Sequence, residues 1–442
     1  MYCDLLGQLT RDSAKRISQY SFATTLEFGR NGEDPDDEEP IDVRVQQWNQ
    51  TERALRDHRL VHEQIEQQAA RTPNDLAVVC GNDSLTYREL NVKANQLAWH
   101  LRFLGVGPDV RVGLAIQREL QLVVSIQAIL KAGGAYVPLD PSYPQKRLHQ
   151  IASTAELAIV VTDEAHREKF AGACEQIVCF DADQAVIAKQ RDDNPPSSAG
   201  PGNLIYVIYT SGSTGAPKGV GVYHRGFANL IDWFTREFEI DSSDRSLVVT
   251  SHGFDLTQKN LFATLTRGGQ VHLTHCQSFD PDTILDEIAR NRISLLNCTP
   301  SNFYLLLSDS EKISQLDSLR TVFLGGEPID LVRIAPWRKR SGFNTEFVNT
   351  YGPTECTDIC SFYRVGPDNA EQTIPVGVPI QNVQTYVLGD ELEQLPVGVT
   401  GELCIGGAGV GAGYLDDPQL TASKFVANPF EATERDRLYR TG

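Results

Sequence analysis

The sequence predicts an α/β fold with largely parallel sheets, followed near its end by an antiparallel, barrel-like subdomain. Three observations carry this expectation. First, short apolar runs alternate with segments of helical hydrophobic spacing over most of the chain, the pattern of strands joined by crossover helices. Second, the alternation returns again and again, at residues 157–161, 204–209, 246–250, 271–273 and 295–298. Third, "VQTYVLGDELEQLPVGVTGELCIGGAGVGAGYL" changes character, with short alternating strands, turn residues and many glycines.

The elements follow in order. "LVHEQIEQQAARTP" has helical spacing and stops at Pro73. "DLAVVC" reads as a strand, "GND" as a turn, and "SLTYRELNVKANQLAWHLRFLG" as a strand edge entering a helix. "RVGLAI" is a strand, residues 120–131 a helix, and "GGAYVPLD" a strand. The long apolar run "LQLVVSIQAILKAGGAYVPL" is interrupted by Gln121, Gln127, Lys131 and two glycines. It therefore reads as a buried helix running into a strand, not as a membrane span.

The 442 residues suffice for about two or three domains. Hydrophobic content of 41% and charged content of 22% are ordinary for a soluble globular protein. A net charge of -18 argues against a broad nucleic-acid or anionic-membrane surface. An anion such as ATP must then be held by a local site. The N-terminus lacks an apolar core of signal-peptide length. The nine scattered cysteines form no CxxC pair and read as reduced thiols of a cytoplasmic protein. Residues 1–44 stand apart, with six acidic residues among the seven from 33 to 39. They read as a linker or a remnant of an upstream region, with an ordered extra strand or helix as the alternative.

"YTSGSTGAPKGV" follows the apolar strand "NLIYVIYT" and precedes a helix at roughly residues 224–238. Its glycines allow close backbone approach, its hydroxyls and N–H groups can wrap an anion, and Lys218 adds positive charge. No Gly-Lys-Ser/Thr ends it, so it is not the common phosphate loop. Further along stand "FLGGEPID", "NTYGPTEC", "GELCIGGAGVGAGYL" and "LYRTG". Each alone is an ordinary structural turn; their order gives them weight.

These stretches resemble the adenylate-forming enzymes, and most closely the amino-acid adenylation domains of nonribosomal peptide synthetases. The resemblance covers roughly residues 46–442. It rests on "LTYREL", "LKAGGAYVPLDP", "YTSGSTGAPKGV", the Phe254–Asp255 pair, "NTYGPTE", "GELCIGGAGVGAGYL" and "YRTG", in that order. It implies two doubly wound α/β sheets packed together, with ligands at the carboxyl ends of their strands. It also implies ATP-dependent activation of an amino acid to aminoacyl-AMP with release of pyrophosphate. The aminoacyl group then passes to the phosphopantetheine thiol of a partner carrier-protein domain, beside neighbouring synthetase domains.

By the same resemblance, Thr210, Ser211, Gly212, Ser213, Thr214 and Gly215 cradle the triphosphate. Lys218 either anchors that loop or touches phosphate. Adenine lies near Gly325, Gly326 and Glu327 and against Tyr351, within the Asn349, Thr350, Tyr351, Gly352 stretch, and Asn349 bonds the base edge. Thr354 reaches the α-phosphate and Glu355 holds Mg2+, which takes hard oxygens and few protein carboxylates. The substrate carboxylate attacks phosphorus, so no protein nucleophile is required. Catalysis is positioning and charge neutralisation.

Asp255 is implied to bind the substrate ammonium; a helix N-cap is its other reading. The implied amino-acid pocket comprises Asp255, Leu256, Lys259, Asn297, Phe323, Gly325, Thr350, Asp358 and Ile359. Lys259 has three readings open: contact with an acidic substrate side chain, pairing with Asp358, or exposure to solvent. The set favours a polar side chain, acidic or amide first, with a basic one reading Asp358 as the alternative.

In the family an Asp follows "YRTG", and a small C-terminal subdomain carries a lysine that bridges carboxylate and phosphate. The chain given ends at Gly442. The expectation is a core spanning residues 45–442 that binds both ligands weakly, adenylates slowly and belongs to a larger synthetase. Two other readings stay open: an acyl- or aryl-acid CoA ligase, against which Asp255 argues, and a non-catalytic binding fragment.

Overall fold

The computed structural model describes residues 41–442, apart from 212–216, 277, 341–342, 367–373 and 431–436. Most of the expected 1–44 linker thus lies outside the described residues. A helix, Ile41–Trp48, runs across its far boundary.

The alternating strands build two parallel sheets. In the larger, Glu346–Tyr351, Thr321–Gly325, Leu295–Cys298, Arg245–Val248, Gln270–Leu273 and Leu76–Cys80 lie side by side and parallel. Antiparallel strands close its edges: Ser361–Arg364 and Val378–Pro379 on one side, Asp83–Thr86 on the other. In the second sheet, Leu204–Ser211, Ala135–Pro138, Arg111–Leu114, Ile159–Thr162 and Gln176–Cys179 run parallel. Pro217–Tyr223 and Gly413–Tyr414 extend it antiparallel.

The apolar helix Leu120–Ala132 explains how the sheets meet. It is buried at every position from Leu122 to Ala132 and touches strands of both sheets. Apart from Ser125, Gln127 and Lys131 its buried positions are apolar, so it has no broad face for water and lies inside. It ends at Gly133, whose φ of 98° puts it in the left-handed region glycine favours. Helices Pro281–Asn291, Pro300–Leu306 and Leu331–Arg338 cover the outer face of the large sheet, around Ile284, Phe303 and Trp337. Helix Gln145–Thr154 packs on the outer core of the second sheet. Each sheet is therefore covered on both faces, as parallel sheets require, and both are doubly wound.

The C-terminal segment is antiparallel, as expected, but is an open sheet: Val383–Leu388, Glu402–Gly407, Arg437–Arg440 and Phe425–Ala427 in spatial order. A barrel needs its edge strands to pair with each other, and among the described residues these do not. The reason is visible at the Val383–Leu388 edge. The Asn49 amide donates to the Thr385 carbonyl at 3.0 Å and its oxygen accepts from the Thr385 N–H at 2.9 Å. The Thr51 hydroxyl takes the Val383 carbonyl at 2.8 Å. Side chains from the start of the chain occupy the groups a closing strand would need. No helix among the described residues is long and apolar enough to cross a membrane.

Candidate active site

The described residues on either side of the glycine-rich loop pair as two antiparallel strands. Leu204–Ser211 pairs with Pro217–Tyr223, setting Thr210 opposite Lys218 and Ser211 opposite Pro217. Gly212, Ser213, Thr214 and Gly215 lie outside the described residues. The strand Pro217–Tyr223 stands between the loop and helix His224–Glu237, a strand the sequence reading did not assign. Its signal was the alternation of Gly219 and Gly221 with Val220 and Val222. Those glycines serve packing. A Cβ on Gly219 would stand 2.8 Å from the Tyr209 ring, and one on Gly221 would stand 3.1 Å from the Ala412 Cβ.

From this strand pair a line of side chains leads inward. The Lys218 Nζ lies 5.8 Å from the centroid of the Tyr414 ring. The Tyr414 hydroxyl donates to Glu355 Oε1 at 2.6 Å, and burial foremost pushes that phenol well above its usual range. Glu355 is buried beneath it. Next to Glu355, the Thr354 hydroxyl donates to Asp255 Oδ2 at 2.5 Å. Asp255 opens the short helix Asp255–Gln258, and Phe254 occupies the cap position. The N-cap reading of Asp255 is thereby corrected. Its other oxygen accepts from the Leu256 N–H at 2.8 Å.

Asp255 faces a cavity of about 440 Å³. The cavity opens where four neighbouring parallel strands end, at Val249 and Thr250, Thr299, Gly325 and Gly326, and Thr350 and Gly352. This is where open parallel sheets bind ligands. Leu256, Asp358, Phe254, Phe279 and Arg118 complete most of the wall. A Cβ on Gly325 would stand 2.7 Å from the Thr350 hydroxyl oxygen, so this glycine keeps the floor open.

Of the expected pocket residues, Asp255, Leu256, Gly325, Thr350 and Asp358 line the cavity. Lys259 is fully buried behind it, donating to Asp358 Oδ2 at 2.7 Å and to the Leu256 carbonyl at 3.1 Å. The pairing alternative is the one realised, and the solvent-exposed reading is corrected, because a buried ammonium requires a partner. Burial, with Asp255 adding to it against the pull of Lys259, raises the Asp358 carboxyl to about 6. Three residues stand outside the cavity wall. Asn297 donates to the Leu256 carbonyl at 3.2 Å from behind. Phe323 packs between Phe234 and Phe238, at 4.7 and 4.6 Å, and Ile359 lies in the same core.

The expected adenine-side residues stand at the strand ends. Glu327 is exposed and accepts from the Ser301 N–H and hydroxyl at 3.0 and 2.9 Å. The Asn349 amide donates to the Pro375 carbonyl at 2.8 Å, and Tyr351 is half-buried beside Gly352. Two further residues gain a role only from the structure. Tyr414 sits inside the "GAGYL" run, whose glycines alone drew notice in the sequence. Arg118 follows soon after an apolar strand; it is buried, donates to the Val249 and Cys276 carbonyls and clamps the cavity wall. Among the described residues no three His, Cys, Asp or Glu side chains gather as a metal cluster. A single buried carboxylate, Glu355, suits a magnesium ion that takes its remaining oxygens from phosphate and water.

Residues 65–415 match the AMP-binding enzyme family, and the chain belongs to it. A mycosubtilin synthase of Bacillus subtilis is 39% identical over 406 residues, covering 89% of this chain and 15% of that protein. Bacitracin synthase 1 of Bacillus licheniformis is 37% identical over 400 residues, covering 90% of this chain and 7% of that protein. The nonribosomal peptide synthetase FmoA3, in its α-methyl-L-serine-AMP-bound form, is 30% identical with a TM-score of 0.84, covering 91% of this chain and 45% of that one. Its AMPPNP-bound form gives a TM-score of 0.83 over 91% of this chain and 43% of that one. The chain thus spans less than half the length of each of these synthetases, from 7% to 45%, and it has the fold of their adenylation domains.

Proposed function

We propose that this domain activates an amino acid with ATP, giving aminoacyl-AMP and pyrophosphate, for thioester loading onto a carrier domain in peptide synthesis. The observation that carries the reading is Asp255. It presents a carboxylate to the cavity and is joined through Thr354 to Glu355 and the phosphate-side strand pair. An acyl or aryl acid has no ammonium to need it.

In this reading Asp255 fixes the ammonium and so aims the substrate carboxylate at the α-phosphorus of ATP. Attack forms the C–O–P bond as the bond to pyrophosphate breaks. Thr354, Lys218 and the glycine-rich loop orient the phosphates. Glu355 would hold magnesium, which supplies neutralisation of phosphate charge. The chain's own contribution is orientation and charge.

The side chain selected is polar. Asp358 lines the cavity whereas Lys259 does not. Two carboxylates thus meet the ligand, which favours a donor-bearing side chain, amide or basic, over an acidic one.

The test is pyrophosphate exchange into ATP across the common amino acids, with Asp255→Asn alongside. Exchange with one polar amino acid, lost in the variant, supports the reading. Turnover of an organic acid without an ammonium, indifferent to Asp255→Asn, would move the domain to the CoA-ligase branch.

A further inference from the structure

The glycine-rich run at residues 401–415 contributes nothing to the cavity wall. Its backbone lies instead against the segment that carries Glu355 and Asp358. The Gly411 N–H donates to the Glu355 carbonyl at 2.8 Å. The Thr357 hydroxyl donates to the Gly409 carbonyl at 2.6 Å, deep in the protein, with Thr357 only 2% exposed.

Thr357 needs such a tether. It sits at φ 63°, ψ 59°, and Asp358 follows at φ 67°. Two successive non-glycine residues in the left-handed region are uncommon, and a β-branched one is an outlier that its surroundings must enforce. The surroundings are built for it. A Cβ on Gly226 would stand 2.9 Å from both the Thr357 hydroxyl oxygen and the Ala408 carbonyl. A Cβ on Gly409 would stand 2.9 Å from the Cys356 carbonyl, and one on Gly411 would stand 3.0 Å from the Glu355 carbonyl. Glycine at these places lets two backbone segments, the helix at Gly226 and the run at Gly409–Gly411, close on the turn.

The turn has a geometric result. Glu355 faces Tyr414, while Asp358, three residues on, faces Lys259 and the cavity. A continued helical turn would set residues three apart on one face.

We propose that Thr357 is a positioning residue of the substrate cavity: its hydroxyl, anchored on Gly409, holds the left-handed turn that delivers Asp358 to the ligand, and the glycine-rich run is the brace that receives it. The inference rests on the amino-acid reading above.

The test is calorimetric binding of AMP and of a panel of aminoacyl-sulfamoyladenosines to the chain itself. Thr357→Val keeps the branched shape, removes the donor and leaves the buried Gly409 carbonyl unpaired. It should weaken the best-bound aminoacyl compound about tenfold and leave AMP within about twofold. Thr357→Ser keeps the donor and should retain the wild-type ranking. Thr357→Ala keeps a Cβ in the left-handed turn with less strain than valine and lacks the donor, so it should lose the same discrimination as the valine variant. A general loss of folded protein would lower the number of binding sites for every ligand and leave the ranking intact. Wild-type ranking in both the valine and alanine variants overturns the proposal while the amino-acid reading stands. A wild-type chain that binds no aminoacyl compound better than AMP overturns both.

Discussion

Thr354 and Asp255, 99 positions apart in the sequence, are joined by a hydroxyl–carboxylate hydrogen bond of 2.5 Å. The bond links the proposed phosphate side of the site to the proposed ammonium side. A hydroxyl has one proton to donate. A nucleotide phosphate that accepts from Thr354 must therefore take that donor from Asp255, and the carboxylate is left to seek the ligand's ammonium. ATP and amino acid should then bind with positive coupling of about fivefold or more, and linkage makes the coupling reciprocal. Calorimetry of the amino acid with and without AMPPNP measures it. Thr354→Val should bring the two affinities together. Equal coupling in the variant would refute the idea.

The Lys259–Asp358 pair is the most deeply buried ion pair beside the cavity, with side chains 0% and 6% exposed. Such pairs add little net stability, but removing one partner strands the other. Lys259→Met should cost roughly 3–5 kcal/mol in urea unfolding. The same change also lifts the Asp358 carboxyl further, since Lys259 is what holds it down. Adding Asp358→Asn should restore much of the loss. A double variant as weak as the single one would point to lost packing instead of lost pairing.

Much of this was legible in the sequence because it is local. The interior position of helix Leu120–Ala132 follows from its predominantly apolar run, and the parallel sheets from the strand–helix alternation. Asp255 was found by its place after Phe254. What escaped depends on partners distant in sequence. Gly219 looked like phosphate chemistry, yet it answers the Tyr209 ring on the paired strand. Tyr414 acquires its role only by meeting Glu355 59 positions away. The Lys259–Asp358 pair was one of three open readings, because spacing on a helix says nothing of what lies across the cavity. Closure of the C-terminal sheet failed for the same reason: Asn49 and Thr51 come from the other end of the chain.

Tyr414→Phe removes the donor to Glu355 Oε1 and keeps the ring that Lys218 approaches. Groups that orient a metal-binding carboxylate typically matter about tenfold or more in metal affinity. The magnesium concentration for half-maximal pyrophosphate exchange should rise by about that factor, with the amino-acid ranking unchanged. An unaltered magnesium titration would argue that Glu355 does not hold the ion.

Gly325→Ala tests the cavity floor. The new Cβ would lie 2.7 Å from the Thr350 hydroxyl oxygen and 3.0 Å from its carbonyl, with Leu256 at 3.6 Å. Something must shift into the cavity, at a typical cost of about 1–3 kcal/mol for overpacking. In exchange assays the loss should be greatest for the longest side chains, and small substrates should gain in relative rate. A uniform loss across all amino acids would instead place Gly325 outside the side-chain pocket.

His224 predicts the acid behaviour of the fold. It is buried, and neither ring nitrogen has a hydrogen-bond partner among the described residues. The ring of His62, also buried, lies 5.8 Å away. Burial lowers the His224 pKa from 6.5 to about 4, with Asp109 opposing the shift. The unfolded chain therefore binds a proton that the folded one refuses. Stability from this residue is fully present above pH 6.5 and is lost as pH falls toward about 4. The slope it adds is at most about 1.4 kcal/mol per pH unit. His224→Phe keeps a buried ring without the titration, so urea unfolding of the variant should depend less steeply on pH across this window. The difference from wild type should vanish near neutrality in slope, whatever the variant does to stability itself. Parallel pH profiles from 4 to 6.5 would show that His224 is protonated equally in both states.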